Sequence, residues 1–172
     1  KPSSKNILKI KEPIRKIKIL TKEEMQKVYN ATTNIRDEFL IKLLFETGLR
    51  IGEALSLFIE DIIFDHKKGH RIKLVDRGEL PNGARLKTGE REIHISQELI
   101  NLFDDYAYDI LVELDIDTNF IFVKLRGVNK GKPLEYQDVS DLFKRLKKKT
   151  GIDVHAHLLR HTHATIYYQA TK

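Results

Sequence analysis

The chain contains no cysteine. It therefore has no disulfide framework, no thiolate nucleophile and none of the common cysteine-containing zinc sites, a composition that fits a reducing cytoplasm. No stretch approaches the roughly 20 apolar residues that cross a bilayer, and no charged-then-apolar leader opens the chain. From these absences we expect a cytoplasmic protein that makes no membrane contact.

The length of 172 residues and the hydrophobic content of 41% suit one domain with one substantial core. Lysine and arginine number 31 against 25 acidic residues, and the excess is clustered. Residues 1–20 are rich in lysine and predict a basic linker or arm, followed by a domain over 21–172. A second basic cluster comprises Lys144, Arg145, Lys147, Lys148 and Lys149. Such clusters fit a polyanionic partner, and they fit solvated linker and helix faces equally well.

The hydrophobic pattern predicts an α+β fold that is mainly helical. Thr21 and Glu24 form a capping box that begins a helix to about residue 30. Gly48 and Gly151 are expected to end two later helices. Further helices are expected over 50–57, 97–114, 136–150 and 157–170. Apolar runs at 62–64, 72–75 and 91–95 predict a small three-stranded antiparallel sheet, and 120–123 a short strand or extended segment.

Three segments contain residues suited to chemistry on a phosphate. In Thr47-Gly-Leu-Arg-Ile-Gly-Glu, a glycine turn delivers Arg50 at the start of a helix, and Glu53 is expected to hold that arginine in place. A surface ion pair explains the same two residues. The second segment contains His157, Arg160 and His161 near the C-terminus, and the third contains Lys87.

In His157-Leu-Leu-Arg-His, the spacing of three and four residues places both histidines and Arg160 along one helical face. Imidazole exchanges a proton near neutral pH, and a guanidinium neutralises phosphoryl oxygens. In Leu86-Lys-Thr-Gly, Lys87 precedes a predicted turn, from which an ammonium reaches a substrate and protonates a leaving alkoxide. A lone lysine before a turn is more often simply solvated.

The order of these motifs, Gly-Leu-Arg-x-x-Glu-x-Leu, then Lys-Thr-Gly, then His-x-Leu-Arg-His-Thr, resembles the tyrosine recombinase (phage integrase) family from residue 20 to the end. The resemblance implies that Arg50 and Arg160 clamp a phosphate, that Lys87 is a general acid, and that His157 is an acid/base or phosphate-binding group. Glu53 and His161 match supporting positions. The residues expected to bind DNA are Arg85, Lys144, Arg145, Lys147 and Lys148.

The same resemblance implies a site-specific recombinase that cleaves and rejoins double-stranded DNA through a 3′-phosphotyrosine, without a cofactor and as a tetrameric synapse. The family's Gly-His motif and nucleophilic tyrosine are expected beyond Lys172, so this chain is expected to be a catalytic domain without its C-terminal segment. Tyr167 lies two helical turns from Arg160, about 10 Å along the axis. It and Tyr168 are therefore expected to have a core or groove-lining role.

Other readings of the same residues remain. His157 and His161 have the spacing of a zinc-binding helix, but Leu158 occupies the place of the metalloprotease glutamate, so we expect no metal site. Asp115 and Asp117 begin like a calcium loop that then lacks its glycine and its final glutamate. The two alternatives to a recombinase are a DNA-binding module without catalytic activity and an enzyme like type IB topoisomerases.

Overall fold

The computed structural model describes residues 18–170, with side chains described as far as residue 167. The predicted basic arm therefore lies almost entirely outside the described residues. Six α-helices and three short strands make up the described part of the chain, and within it no helix is long and apolar enough to cross a membrane. The mainly helical α+β architecture and the three-stranded antiparallel sheet are as predicted.

The first two helices begin and end at residues that the sequence marks. Helix α1 spans Lys22–Ala31, and Thr21 and Glu24 form its capping box through reciprocal side-chain-to-backbone hydrogen bonds. Helix α2 spans Ile35–Thr47 and ends at Gly48, which adopts a left-handed conformation with φ of 68°. Glycine reaches this conformation without a Cβ penalty, so the helix stops there and the chain turns toward the next helix.

Helix α3 is the short segment Ile51–Leu55, and a single 3₁₀ turn leads from it to the sheet. Strands β1 (Ile62–Ile63), β2 (Arg71–Leu74) and β3 (Arg91–His94) pair in the order β1-β2-β3, and each pair is antiparallel. Ile72 and Leu74 of the central strand are buried, which fixes the sheet against the helical body.

Aromatic side chains form the centre of the core. Phe39 of α2 packs against Phe103 of helix α4 (Gln97–Tyr106), and its ring stacks on Tyr106 and on Phe122. The Tyr106 hydroxyl donates to the Ile121 carbonyl at 2.7 Å, so its polar end is satisfied inside the core. The predicted helix over 97–114 is thus present, although it widens into a π-helical segment over Ala107–Val112. The 120–123 segment is extended, with isolated bridges at each end.

The last two helices complete the domain. Helix α5 spans Tyr136–Thr150 and ends, as predicted, at left-handed Gly151. Helix α6 spans Ala156–Ala170 and packs on α2. The buried hydroxyl of Thr162 accepts a hydrogen bond from the Leu20 backbone N–H at 3.1 Å and donates to the Leu158 carbonyl. This contact joins the beginning of the described chain to its last helix and fixes the position of α6.

Candidate functional site

A cavity of about 300 Å³ lies where α3, the segment before β3, the start of α5 and the start of α6 meet. It brings together most of the residues that the sequence motifs single out, although they come from four separate parts of the chain. Its lining comprises Arg50, Ile51, Gly52, Glu53, Arg85, Lys87, Tyr136, Ala156, His157 and Arg160.

Arg50 reaches the cavity from the residue that precedes α3. The left-handed turn at Gly48 and the buried side chain of Leu49 set the direction of the chain at this point. A Cβ at residue 48 would lie 2.6 Å from the His163 ring, so only glycine allows α6 to approach this turn so closely. The exposed guanidinium of Arg50 therefore projects from a rigid turn that is held between two helices.

Glu53 is buried, and its carboxylate links α3 to the segment before β3. One oxygen accepts the Arg50 backbone N–H at 3.1 Å, and the other accepts the Thr88 hydroxyl at 2.6 Å and the Arg91 guanidinium at 3.0 Å. Glu53 therefore holds Arg50 as expected, but through the Arg50 backbone N–H and not through its side chain. Its ion-pair partner is Arg91, because β3 brings that guanidinium closer than the Arg50 side chain, which points into the cavity.

These contacts also set the charge of Glu53. Burial by itself would raise the pKa of this carboxyl, but hydrogen bonds from Arg91, Thr88 and the Arg50 backbone outweigh burial and hold the pKa below its ordinary value. Glu53 is therefore ionised at neutral pH. Because its charge is already used by Arg91, it is not available to neutralise the other cations of the cavity.

Lys87 and Arg85 enter the cavity from the extended segment before β3. Ala84 and Leu86 are buried whereas Arg85 and Lys87 are exposed, the alternation expected when successive side chains of an extended chain point to opposite sides. The Asn82 side-chain amide anchors the preceding turn through hydrogen bonds to two backbone carbonyls. Both cations consequently face the same side as Arg50.

His157 and Arg160 lie on the first turn of α6, spaced so that both line the cavity. Leu159 is fully buried on the opposite side of that turn and holds the helix against the core. His161 is half-buried but does not line the cavity, so the structure separates it from the other motif residues.

Charge in this cavity is strongly unbalanced. Arg50, Arg85, Lys87 and Arg160 all line it, and within the described part of the chain none of them forms an ion pair with a carboxylate. Unpaired cations that converge on one concave surface create a positive potential, which attracts an anion such as a phosphate. Among residues 18–167 no group of three or more histidine, aspartate or glutamate side chains is arranged to hold a metal ion.

The cations of α5 lie elsewhere. Arg145 and Lys149 line a second cavity of about 480 Å³ beside the loop between α1 and α2, and Lys147 pairs with Asp153 at 3.6 Å. Lys144 and Lys148 are exposed on the same helix. The structure therefore does not bring this predicted DNA-binding cluster to the first cavity, which α5 reaches only through its first residue.

That first residue is Tyr136. The sequence motifs do not predict it as a site residue, and they do not predict Thr88 or Arg91 as partners of Glu53. Among the described side chains Tyr136 is the only tyrosine that lines the cavity. Tyr167, for which a core or groove-lining role was expected, is exposed and stacks on His163, so a core role is wrong. The side chain of Tyr168 lies outside the described residues. No local pattern marks Tyr136, because its contact with α3 arises only from tertiary packing.

Comparison with known proteins gives a consistent result. The Phage integrase family matches residues 18–171. Transposase A from transposon Tn554 of Staphylococcus aureus (strain Mu50) is 42% identical over 163 residues, which cover 94% of this chain and 44% of the transposase. Tyrosine recombinase XerA of Saccharolobus solfataricus is 32% identical over 157 residues, which cover 88% of this chain and 43% of the relative. The chain thus spans less than half the length of these relatives.

A solved structure also shares the fold. The Tn1549 transposon integrase, in complex with transposon right end DNA, superposes with a TM-score of 0.68 over 95% of this chain and 57% of the integrase chain, at 21% sequence identity. Both the helical body and the small sheet are therefore an arrangement known from other proteins.

Proposed function

Because this chain belongs to the phage integrase family of tyrosine recombinases, we propose that it is the catalytic core of an enzyme that breaks and rejoins DNA strands at specific sites. The observation that carries this proposal is the cavity in which four cations converge without carboxylate partners. A phosphodiester is the anion that such an enzyme must hold. A cavity of about 300 Å³ with several donors is suited to one phosphate group and its neighbouring sugars.

Arg50 and Arg160 are proposed to clamp the reacting phosphate. Each guanidinium offers a planar set of donors that matches phosphate oxygens and stays charged at any physiological pH. The two side chains reach the cavity from different helices, so together they contact one phosphate from two directions. As phosphorus becomes five-coordinate, negative charge grows on its oxygens, and positioned guanidinium groups stabilise that charge more than they stabilise the ground state.

Lys87 and His157 are proposed to act as proton-transfer groups. In the scheme that the family resemblance implies, a tyrosine hydroxyl attacks phosphorus while the bond to the 5′ oxygen breaks. This step leaves a 3′-phosphotyrosine and a 5′ hydroxyl. The Lys87 ammonium supplies the proton that the departing 5′ oxygen takes up. His157 accepts the proton of the attacking hydroxyl or binds the phosphate. His161 stays a predicted supporting residue.

Duplex DNA is the proposed partner. The Tn1549 integrase shares this fold, and its solved structure contains transposon DNA. The cationic cavity here supports the same class of ligand. A tetrameric assembly on DNA, the absence of a cofactor, a cytoplasmic location and a role for the α5 cations stay predictions. The alternative of a binding module without chemistry is less well supported, because relatives of this chain are named a transposase and a tyrosine recombinase.

A binding experiment tests the clamp. Affinity of the 172-residue chain for a fluorescent mixed-sequence duplex is measured by anisotropy across a series of salt concentrations. Replacing Arg50 or Arg160 by alanine is expected to weaken binding about tenfold at low salt, and to reduce the slope of log affinity against log salt by about 0.9, because one phosphate contact is lost. Lys67→Ala is the control, since this exposed lysine lies between β1 and β2 and lines neither cavity.

The control is expected to change affinity less than twofold, within the usual effect of a surface substitution. Equal losses of affinity for Lys67→Ala and Arg50→Ala would show that binding depends on overall charge and not on this cavity. If Arg50→Ala or Arg160→Ala, alone, binds DNA as tightly as the unaltered chain, the proposed clamp is overturned.

A further inference from the structure

Tyr136 lines the cavity although it belongs to none of the three sequence motifs. It is the first residue of α5, it is 43% exposed, and the hydroxyl end of its ring lies against Gly52 of α3 in the cavity that Arg50 also lines. The start of α5 is held by the Glu135 backbone N–H, which donates to the Asp138 carboxylate at 2.9 Å. The tyrosine ring therefore projects from a capped helix end and not from a loop.

Gly52 provides the space that the phenol oxygen occupies. A Cβ at residue 52 would lie 2.3 Å from the Tyr136 hydroxyl oxygen, 3.4 Å from its Cζ atom and 3.6 Å from the Arg85 carbonyl. The backbone of Gly52 is ordinary helix, so the missing side chain is required by the contact and not by the conformation. Any larger residue would push the hydroxyl out of its present position.

The hydroxyl itself makes no hydrogen bond with any described residue. A phenol is a strong donor that usually finds a partner where it is partly covered. Tyr136 lines the same cavity as the cations Arg50, Arg85 and Arg160, whose side chains offer no hydrogen-bond acceptor. An anion that those cations attract can accept a hydrogen bond from this hydroxyl.

We propose that Tyr136 is a DNA-binding residue, whose hydroxyl donates a hydrogen bond to a phosphate oxygen of the strand held by Arg50 and Arg160. This inference rests on the proposed function. Tyr136 adds a donor without adding charge, and its rigid ring, fixed between α3 and α5, sets the register of the phosphate against the two guanidinium groups. Gly52 is the residue that makes this placement possible.

The experiment compares Tyr136→Phe with the unaltered chain in the same salt series, with a 30-base-pair mixed-sequence duplex as the probe. Loss of one hydrogen bond to a charged phosphate is expected to weaken binding about tenfold. The salt slope should stay unchanged, because a neutral donor releases no counterion. Arg50→Ala should lower both affinity and slope. Tyr108→Phe is the matched control, since Tyr108 is 73% exposed and does not line the cavity.

A second variant, Gly52→Ala, tests whether the position of the Tyr136 hydroxyl matters. Gly52→Ala should weaken binding because its new methyl group collides with the phenol oxygen. In the Tyr136→Phe background the nearest ring atom is Cζ at 3.4 Å, which is an ordinary contact. Gly52→Ala should therefore add almost nothing there, and the double variant should bind like Tyr136→Phe alone. Thermal unfolding of each variant shows whether the fold is intact.

The outcomes distinguish the two proposals. Unchanged binding by Tyr136→Phe, together with a loss in Arg50→Ala, would overturn the role of Tyr136 and leave the clamp standing. Unchanged binding in both would overturn the clamp as well. A reduced salt slope in Tyr136→Phe would mean that the hydroxyl acts by positioning a cation, and a covalent DNA adduct that requires the Tyr136 hydroxyl would mean that it is a nucleophile. Either result would contradict the proposed role.

Discussion

Glu53→Gln tests whether one buried carboxylate joins the two segments that bear Arg50 and Lys87. Glutamine has nearly the same shape, and its remaining carbonyl oxygen can still accept the Arg50 backbone N–H. The amide group, however, replaces the oxygen that now accepts both the Thr88 hydroxyl and the Arg91 guanidinium. The threonine hydroxyl can rotate to accept from the amide. The arginine cannot accept, and its ion pair with residue 53 is lost.

The size of the effect follows from these contacts. A hydrogen bond to a charged group contributes about 1.5–3 kcal/mol to stability. Since the Arg91 side chain is 40% exposed, solvent screens its charge and the lower part of this range applies, about 2 kcal/mol. For a domain of this size each kcal/mol shifts the melting temperature by about 2–4 °C, so a decrease of about 4–8 °C is expected at pH 7.

The pH dependence gives a sharper test. The pKa of Glu53 in the folded chain is below its ordinary value of 4.5. A carboxyl with a lowered pKa stabilises the fold fully above its unfolded pKa, and this stabilisation is lost as the pH falls through the folded pKa. Urea unfolding should therefore show a constant gap between the unaltered chain and Glu53→Gln from pH 7 to 5, and a narrower gap at pH 3.5.

Glu60→Gln serves as the control, because Glu60 also bonds an arginine, Arg77, but its side chain is 75% exposed. Surface pairs of this kind contribute about 0–1 kcal/mol. Equal stability of Glu53→Gln and the unaltered chain at pH 7 would refute the reasoning, as would a gap that stays the same at pH 3.5.

Two further predictions concern the turn before Arg50 and the proton donor. Gly48→Ala should destabilise the fold by about 2 kcal/mol or more in urea unfolding, because it adds both left-handed strain and a collision with His163. Gly83→Ala adds a similar left-handed strain, but the space around residue 83 is open. It should therefore lower the free energy of unfolding by less than Gly48→Ala does. Equal losses in the two variants would exclude the collision with His163. In the natural full-length protein, Lys87→Ala should slow cleavage of normal DNA, while a substrate with a 5′-bridging sulfur should be largely rescued, because a thiolate leaves without a proton. Equal defects on both substrates would count against that role.

Local signals explain why the elements were predictable. The capping box at Thr21 and the glycines at 48 and 151 act within one helical turn, so the helix boundaries are present in short stretches of sequence. The alternation of buried and exposed residues before β3 is equally local. These signals place Arg50, Lys87 and Arg160 on the correct elements.

The arrangement of the site depends on contacts between distant segments, which local patterns do not contain. The pairing of Glu53 with Arg91 requires β3 to return beside α3, so the nearer Arg50 was the wrong partner to expect for the carboxylate. Tyr136 reaches the cavity only because α5 crosses α3 at a glycine. The α5 cations were predicted as one DNA-binding cluster, yet Arg145 faces the α1–α2 loop, since the direction of each helical face is set by packing.

The cationic cavity is complete only after α6 has packed on α2, so the order of synthesis determines when the cavity can form. Arg50 leaves the ribosome roughly a hundred residues before His157 and Arg160, a delay of about 5–20 s at ordinary elongation rates. Until α6 emerges, Leu20 has no Thr162 hydroxyl to bind, and the turn at Gly48 has no His163 ring beside it. A nascent chain in which α6 has not yet docked therefore presents Arg50, Arg85 and Lys87 without Arg160, and the fourth cation of the cavity is added only when α6 packs on α2.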